Sequence, residues 1–228
     1  MKLLGVNSDA KTTKGTKYGY LTGILYLAPA KQSGFEVCPS RSVGCTEACL
    51  YTSGHGSFQN VKDARIRKTQ WLFNDRPGFL QALRADVKAL VKKAEKQGLI
   101  PCVRLNGTSD IGWEGVANDL MAEFSNVQWY DYTKIQTRMM RYLEGKMPSN
   151  YHLTFSKSEN NWDKCLEVLK HGGNVAAVFN KVPETFMGYT VIDGDKSDLR
   201  FLDPSNVIVG LKAKGMARKD KSGFVITI

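Results

Sequence analysis

From residue 99 onward the chain alternates short apolar runs with amphipathic segments, and this alternation restricts the fold more than any other feature. The runs are Ile100–Leu105, Val127–Tyr130, Tyr151–Phe155, Asn174–Phe179, Tyr189–Ile192 and Val207–Leu211. They are rich in β-branched and aromatic residues and have strand length. Between them, Trp113–Phe124, Thr137–Leu143 and Trp162–Lys170 suit helices. In the last of these, Trp162, Cys165, Leu166 and Leu169 share one helical face, and Gly172 and Gly173 supply a stop. An earlier apolar segment, Leu21–Ala28, reads as a buried strand. Asp75–Lys96 is the clearest helix, with Pro77 near its start, an apolar stripe of Phe79, Leu80, Leu83, Val87, Leu90 and Val91, and Gly98 at its end. Strands alternating with helices imply βαβ units and a parallel sheet. The expected fold is therefore α/β, a TIM-like (β/α) barrel, partial or complete, with an open doubly wound sheet as the alternative. No linker rich in Pro, Gly or Ser divides the chain, so residues 1–228 read as one domain, with basic ends at 1–17 and 213–228 expected to be mobile. The pattern is least clear from 189 to 203, which fits an extra strand or an excursion.

Three of the five cysteines, Cys38, Cys45 and Cys49, stand on the segment that follows the first strand. An odd and clustered set fits metal binding better than a disulfide framework. Cys102 and Cys165 sit in apolar or amphipathic surroundings and read as buried fillers. Pro39, Gly44, Ser40, Ser42 and Ala48 allow the loop to curl around an ion, and Cys45 and Cys49 share a face if that stretch is helical. His55 could complete a zinc site of three cysteines and one histidine. Without it, three thiolates could hold three irons of a [4Fe-4S] cluster and leave the fourth open.

If the apolar runs are parallel strands, the residues after each one share the rim where α/β sheets bind ligands. That rim gathers the cysteine loop, then Asn106, Gly107, Thr108, Ser109 and Asp110 with Glu114 a turn further on, then Asp131, Lys134 and Arg138, then Ser156 and Glu159. Helix capping accounts for part of this set. It does not account for Asn106, for the Asp131–Lys134 pair, or for Arg104, a charge inside a strand that needs a partner or a polar interior.

A net charge of +10 and a pI near 9.3 favour a polyanionic partner, a nucleotide, DNA or RNA first. Arg65, Arg67, Lys68, Lys212 and Lys214 are the candidate nucleic-acid contacts. No run of eighteen apolar residues occurs, so no membrane span is expected. The N-terminal apolar run is too short for a secretory signal, which makes a cytoplasmic location the expectation.

A cysteine loop after the first strand of a partial α/β barrel resembles the layout of the radical SAM superfamily. Its usual motif is Cys-x-x-x-Cys-x-x-Cys, whereas the gaps here are six and three. The Asn106–Asp110 turn stands where that superfamily carries a glycine-rich, Glu-bearing segment, and its sequence differs from that segment. Over nearly the whole chain the sequence is similar to a bacteriophage family, gene product eighty-eight. The matching stretches are Cys38–Leu50, Ala64–Thr69, Val103–Ile111, Tyr130–Lys134 and His152–Ser156. The radical SAM resemblance implies a [4Fe-4S] cluster on Cys38, Cys45 and Cys49 with S-adenosylmethionine at its open iron. It implies cofactor contacts from Asn106, Gly107, Thr108, Ser109 and Ser156, and catalytic roles for Asp110, Asp131, Lys134 and Glu159. The competing readings are a zinc-stabilised nucleic-acid-binding protein without catalysis, and a barrel enzyme exchanging or modifying a nucleobase through Asp110 or Asp131.

Overall fold

Every apolar run expected to be a strand forms one, with its ends moved by at most three residues. The computed structural model describes residues 1–49, 51 and 54–228, apart from the side chains of Ala10 and His55. The strands are β1 (Leu4–Val6), β2 (Tyr20–Leu25), β3 (Ile100–Arg104), β4 (Gln128–Thr133), β5 (Tyr151–Ser156), β6 (Val175–Phe179), β7 (Thr185–Phe186), β8 (Tyr189–Asp193), β9 (Ile208–Lys212) and β10 (Val225–Ile226). The helices are α1 (Ala10–Lys14), α2 (Val43–Glu47), α3 (Gln59–Asn74), α4 (Arg76–Lys96), α5 (Trp113–Val116), α6 (Asn118–Glu123), α7 (Gln136–Leu143) and α8 (Trp162–Lys170). The single helix expected over 113–124 divides in two because Ala117 leaves helical geometry, at φ −135 and ψ 33.

The strands form one mostly parallel sheet in the order β1-β2-β3-β4-β5-β6-β9-β8-β7, with β10 beside β6. From β2 to β6, and on to β9, parallel neighbours follow chain order. The sheet is open. Antiparallel β1 lies on the outer edge of β2, and the β7–β8 hairpin lies beyond β9, so the two ends do not meet. The complete barrel among the sequence expectations is thereby corrected to an open sheet. The excursion expected at 189–203 is the hairpin's second strand and the turn that follows it. The chain ends expected to be mobile contribute β1 and β10.

Strand alternation separates two faces. Leu21, Leu25, Val103, Leu105, Trp129, Leu153, Phe155, Val175, Ala177 and Ile208 pack on one core with Phe79, Leu83, Val87 and Leu90 of α4, Met139 of α7, and Cys165, Val168 and Leu169 of α8. Burying each large side chain contributes about 1.5–3 kcal/mol. Asp75 caps α4 by accepting from the Gly78 N–H at 3.0 Å. On the opposite face, Cys102 and Tyr130 pack with Leu199, flanked by Tyr20 and Phe201. There Arg104 finds its partner: Nη1 reaches Asp198 at 3.1 Å, and the guanidinium lies 4.4 Å above the Tyr132 ring. Tyr130 donates to the same carboxylate at 3.2 Å. The polar interior required by a charge within a strand is thus built by a turn from the far end of the chain.

Candidate functional site at the cysteine rim

The cysteine loop is bound to the ends of β3 and β5 from two sides. The Asp110 N–H donates to the Val37 carbonyl at 2.7 Å, and the Cys38 thiol lies 3.8 Å from the Thr108 carbonyl oxygen. On the other side, Glu159 accepts from the Gly44 N–H at 2.8 Å and from the Ser42 hydroxyl at 2.5 Å. Ser42 also caps α2, accepting from the Cys45 N–H at 3.2 Å. Gly44 is required where it lies, since a Cβ there would stand 2.1 Å from Ser222 Oγ and 2.8 Å from Phe224 Cβ. Gly107 is similarly confined, since a Cβ there would stand 2.6 Å from the Tyr26 ring and 2.7 Å from the Leu25 carbonyl oxygen.

None of the cysteines is in a disulfide; the three of the loop are of intermediate burial, whereas Cys102 and Cys165 are buried. Burial pushes the Cys38 thiol up to about 12, and the neighbouring Cys49, Asp110 and Cys45 push in the same direction. Burial also raises Cys49, next to Cys45, while Lys134 and Arg65 favour its thiolate. The three sulfurs thus share one electrostatic neighbourhood with two cations. Among the described residues no group of three His, Cys, Asp or Glu side chains is arranged to hold a metal ion as it stands. The candidate ligand His55 lies outside the described side chains.

Behind the loop is a second cluster. Asp131 is 0 % exposed and accepts from the Asn106 N–H at 2.6 Å and the Tyr151 hydroxyl at 2.8 Å. Burial pushes its carboxyl up to about 7, against the opposing pull of Arg138 and the Asn106 N–H. Arg138 pairs with Asp110 at 3.2 Å and with Glu114 at 2.8 Å, and its guanidinium also donates to the Tyr151 hydroxyl. Asp110 further accepts from the Lys134 N–H at 2.8 Å. The Asn106 side chain is committed within its own turn, accepting from Ser109 Oγ, the Ile111 N–H and the Trp113 indole while donating to the Ile111 carbonyl. Thr108 donates to the Leu27 carbonyl at 2.5 Å, and the Ser156 carbonyl accepts from Asn161 at 3.0 Å.

The candidate residues therefore fall into three groups. Cys38, Cys45, Cys49, Lys134, Glu159 and the 106–110 turn meet at one rim. Asn106, Asp110 and Asp131 face the protein's own donors, with Glu114 and Arg138 of the same rim and with Tyr151, which the sequence did not single out as a site residue. The basic candidates separate. Lys68 donates to the Leu3 carbonyl at 2.8 Å, Arg67 is exposed, and Lys214 pairs with Asp195 at 2.6 Å. The Lys212 N–H donates to the same Asp195 carboxylate at 3.1 Å. Arg65 stands beside the cysteines, 5.0 Å from the Tyr26 ring centre and 5.5 Å from that of Tyr51. Tyr26 and Tyr51 gave no sequence signal beyond being aromatic residues near the cysteines. Clefts of about 570 and 420 Å³ open on the far side of the Arg138 cluster, the first lined by Glu114, Met121, Arg141 and Asn150 and the second by Tyr151, Tyr142 and His152. Neither carries the thiols, so the cysteine rim remains the candidate on its chemistry.

No helix among the described residues is long and apolar enough to cross a membrane. No curated protein and no solved structure matches the chain. The family pattern that does match is described as gene product 88 and spans residues 1–228, so the chain belongs to the gene product 88 family.

Proposed function

We propose that the chain is a phage enzyme centred on a metal site at Cys38, Cys45 and Cys49, taking a [4Fe-4S] cluster and S-adenosylmethionine, and acting on a nucleotide or nucleic acid in the host cytoplasm. The observation that carries this reading is the gathering of three cysteines, close enough for their thiols to act on one another, on one loop above the ends of parallel strands in chain order. Parallel α/β sheets, open ones included, bind ligands at that rim. The donor set fits the group, since iron–sulfur clusters take cysteine thiolates and three of them leave one iron open. Two cations beside Cys49 would offset thiolate charge. The raised thiols must lose their protons on loading, and the loop must tighten around the metal.

A bound three-cysteine cluster would supply a single electron to S-adenosylmethionine. The chain's own residues support that chemistry by holding the loop. Glu159 and Ser42 hold α2, while Asn106, Asp110, Arg138 and Asp131 make the adjoining turn rigid. Positioning suits Asp110 and Asp131 better than direct attack on a nucleobase, because both carboxylates are engaged by protein donors. The charge of +10 supports a polyanionic substrate.

Iron and acid-labile sulfide analysis of anaerobically purified protein, with its visible spectrum before and after dithionite, tests the reading. The expected result is a brown protein that loses iron in Cys38→Ala, Cys45→Ala and Cys49→Ala but not in Cys102→Ala, and that cleaves S-adenosylmethionine when reduced. One zinc per chain with no sulfide and no colour would replace it with the structural-zinc reading.

A further inference from the structure

Three cations lie around Cys49 and Tyr51, none of them with a carboxylate at salt-bridge distance among the described residues. Arg65 and Lys134 both act on the Cys49 sulfur, and Arg65 and Lys62 both lie over the Tyr51 ring, at 5.5 and 5.6 Å. The Lys134 ammonium lies 5.9 Å from the Phe224 ring centre. None of the three forms a salt bridge among the described residues. Arg65 is the most demanding of them. Its Nε and Nη1 are buried and have no hydrogen-bond acceptor, although the guanidinium is held between two aromatic rings. A buried donor left unpaired costs about 1–3 kcal/mol. Arg200 carries the same two unpaired nitrogens, but its guanidinium lies 3.2 Å from Asp203, whereas Arg65 has no carboxylate within salt-bridge distance among the described residues.

The thiols do not remove this excess charge. As neutral thiols they carry none, and as ligands to a [4Fe-4S] cluster they would bring the site to a net charge of about −1. Asp9 and Asp63 act on Arg65 and Tyr51 from beyond salt-bridge distance and offset part of the positive charge, but they leave the buried Arg65 donors without an acceptor. A phosphate brings negative charge together with several strong acceptor oxygens, and guanidinium is its preferred partner. We propose that Arg65, with Lys62 and Lys134, binds a phosphate or diphosphate group of a nucleotide ligand directly beside the cysteine loop. The inference rests on the cysteine loop as the reaction centre, but not on which metal the loop holds. It gives Arg65 a role distinct from that of a general surface contact to nucleic acid. Arg65 becomes an anchor that sets how far from the sulfurs the nucleotide's phosphate lies.

Isothermal titration of the full chain with inorganic pyrophosphate tests this, with metal content measured on the same samples and L-methionine as a carboxylate-bearing comparison. Pyrophosphate is expected to bind the unmodified protein. Its affinity should fall roughly 10- to 100-fold in Arg65→Gln, recover in part in Arg65→Lys, and stay unchanged in Lys93→Gln on the exposed side of α4. Should Arg65→Gln fail to fold, Lys62→Gln carries the test, with an expected loss of roughly 5-fold. Absence of pyrophosphate binding, equal binding to Arg65→Gln, or binding of L-methionine instead would overturn the proposal. Pyrophosphate binding by protein that holds neither iron nor zinc would leave the anion site standing while the cluster reading fails. Metal-loaded protein that ignores pyrophosphate would do the reverse.

Discussion

Arg138 and Arg65 lie at the same rim of the sheet, yet their surroundings are opposites. Arg138 is 4 % exposed and reaches two carboxylates and a tyrosine hydroxyl. Arg65 is half-buried, with two nitrogens that find no acceptor and two aromatic rings for company. Burial disfavours a charge in both places, but only Arg138 has its compensation built into the chain. The contrast separates scaffold from binding equipment without reference to any relative. A charge whose partners are all internal holds the fold, and a charge whose partners are missing is available to a ligand.

The largest expected effect comes from removing the satisfied arginine. Arg138→Met keeps the apolar stem but leaves Asp110 and Glu114 without their cation, and should cost about 3–5 kcal/mol in urea unfolding. Arg65→Met removes a charge that nothing within the described chain pairs, and should cost under about 1 kcal/mol or raise stability slightly. Equal losses from the two substitutions would abolish the distinction between them.

The scaffold side also carries a pH signature. The Asp131 carboxyl rises from an ordinary value near 3.8 to about 7 in the folded chain, because burial penalises its charge. The folded state therefore binds a proton that the unfolded state has released. The stability contributed by this group is complete below about pH 4 and is lost as pH rises toward 7. Taken alone, the slope approaches about 1.4 kcal/mol per pH unit within that window. Unfolding midpoints measured from pH 4 to 8 should show the decline in the unmodified protein and a flatter profile in Asp131→Asn. An unchanged profile in that variant would assign the titration to another group. Arg65→Met, on the unsatisfied side, should leave the profile as it was.

The sequence made the central strands legible because their buried face is continuous and apolar, from Leu21 and Val103 to Trp129, Leu153 and Val175. It did not reveal α3, where only Thr69 and Leu72 are buried and no apolar stripe forms. Strands as short as β1 and β10 left no period to detect. At the site, the gathering of polar residues on one rim could be read from the ends of the strands. Their division into satisfied and unsatisfied could not, because it depends on contacts distant in sequence. Arg104 shows why. Its need for a partner was visible from its place inside a strand, but Asp198 is 94 residues away in a turn without periodicity. Arg65 shows the converse. Its charge suggested a surface contact, whereas the fold sets its guanidinium over Tyr26 and Tyr51 and close enough to Cys49 to act on that thiol.

The smallest expected effect concerns the anchor that holds the cysteine loop. Glu159 accepts one hydrogen bond from the Gly44 backbone and one from Ser42, so Glu159→Gln retains a single acceptor and loses the charge that strengthens both bonds. The local cost is about 1 kcal/mol, too little to move the global unfolding midpoint far, because Glu159 is only partly buried and lies outside the Arg138 cluster. The loop thiols should respond more clearly. If their protection depends on this docking, opening becomes roughly 5-fold more frequent. Iodoacetamide would then modify Cys38, Cys45 and Cys49 of the metal-free protein faster by a similar factor, with Cys102 unaffected. A rate equal to that of the unmodified protein would mean that the Val37–Asp110 contact holds the loop alone. The loop would then owe its place to the satisfied side of the rim, and Glu159 would contribute nothing measurable to either arginine's surroundings.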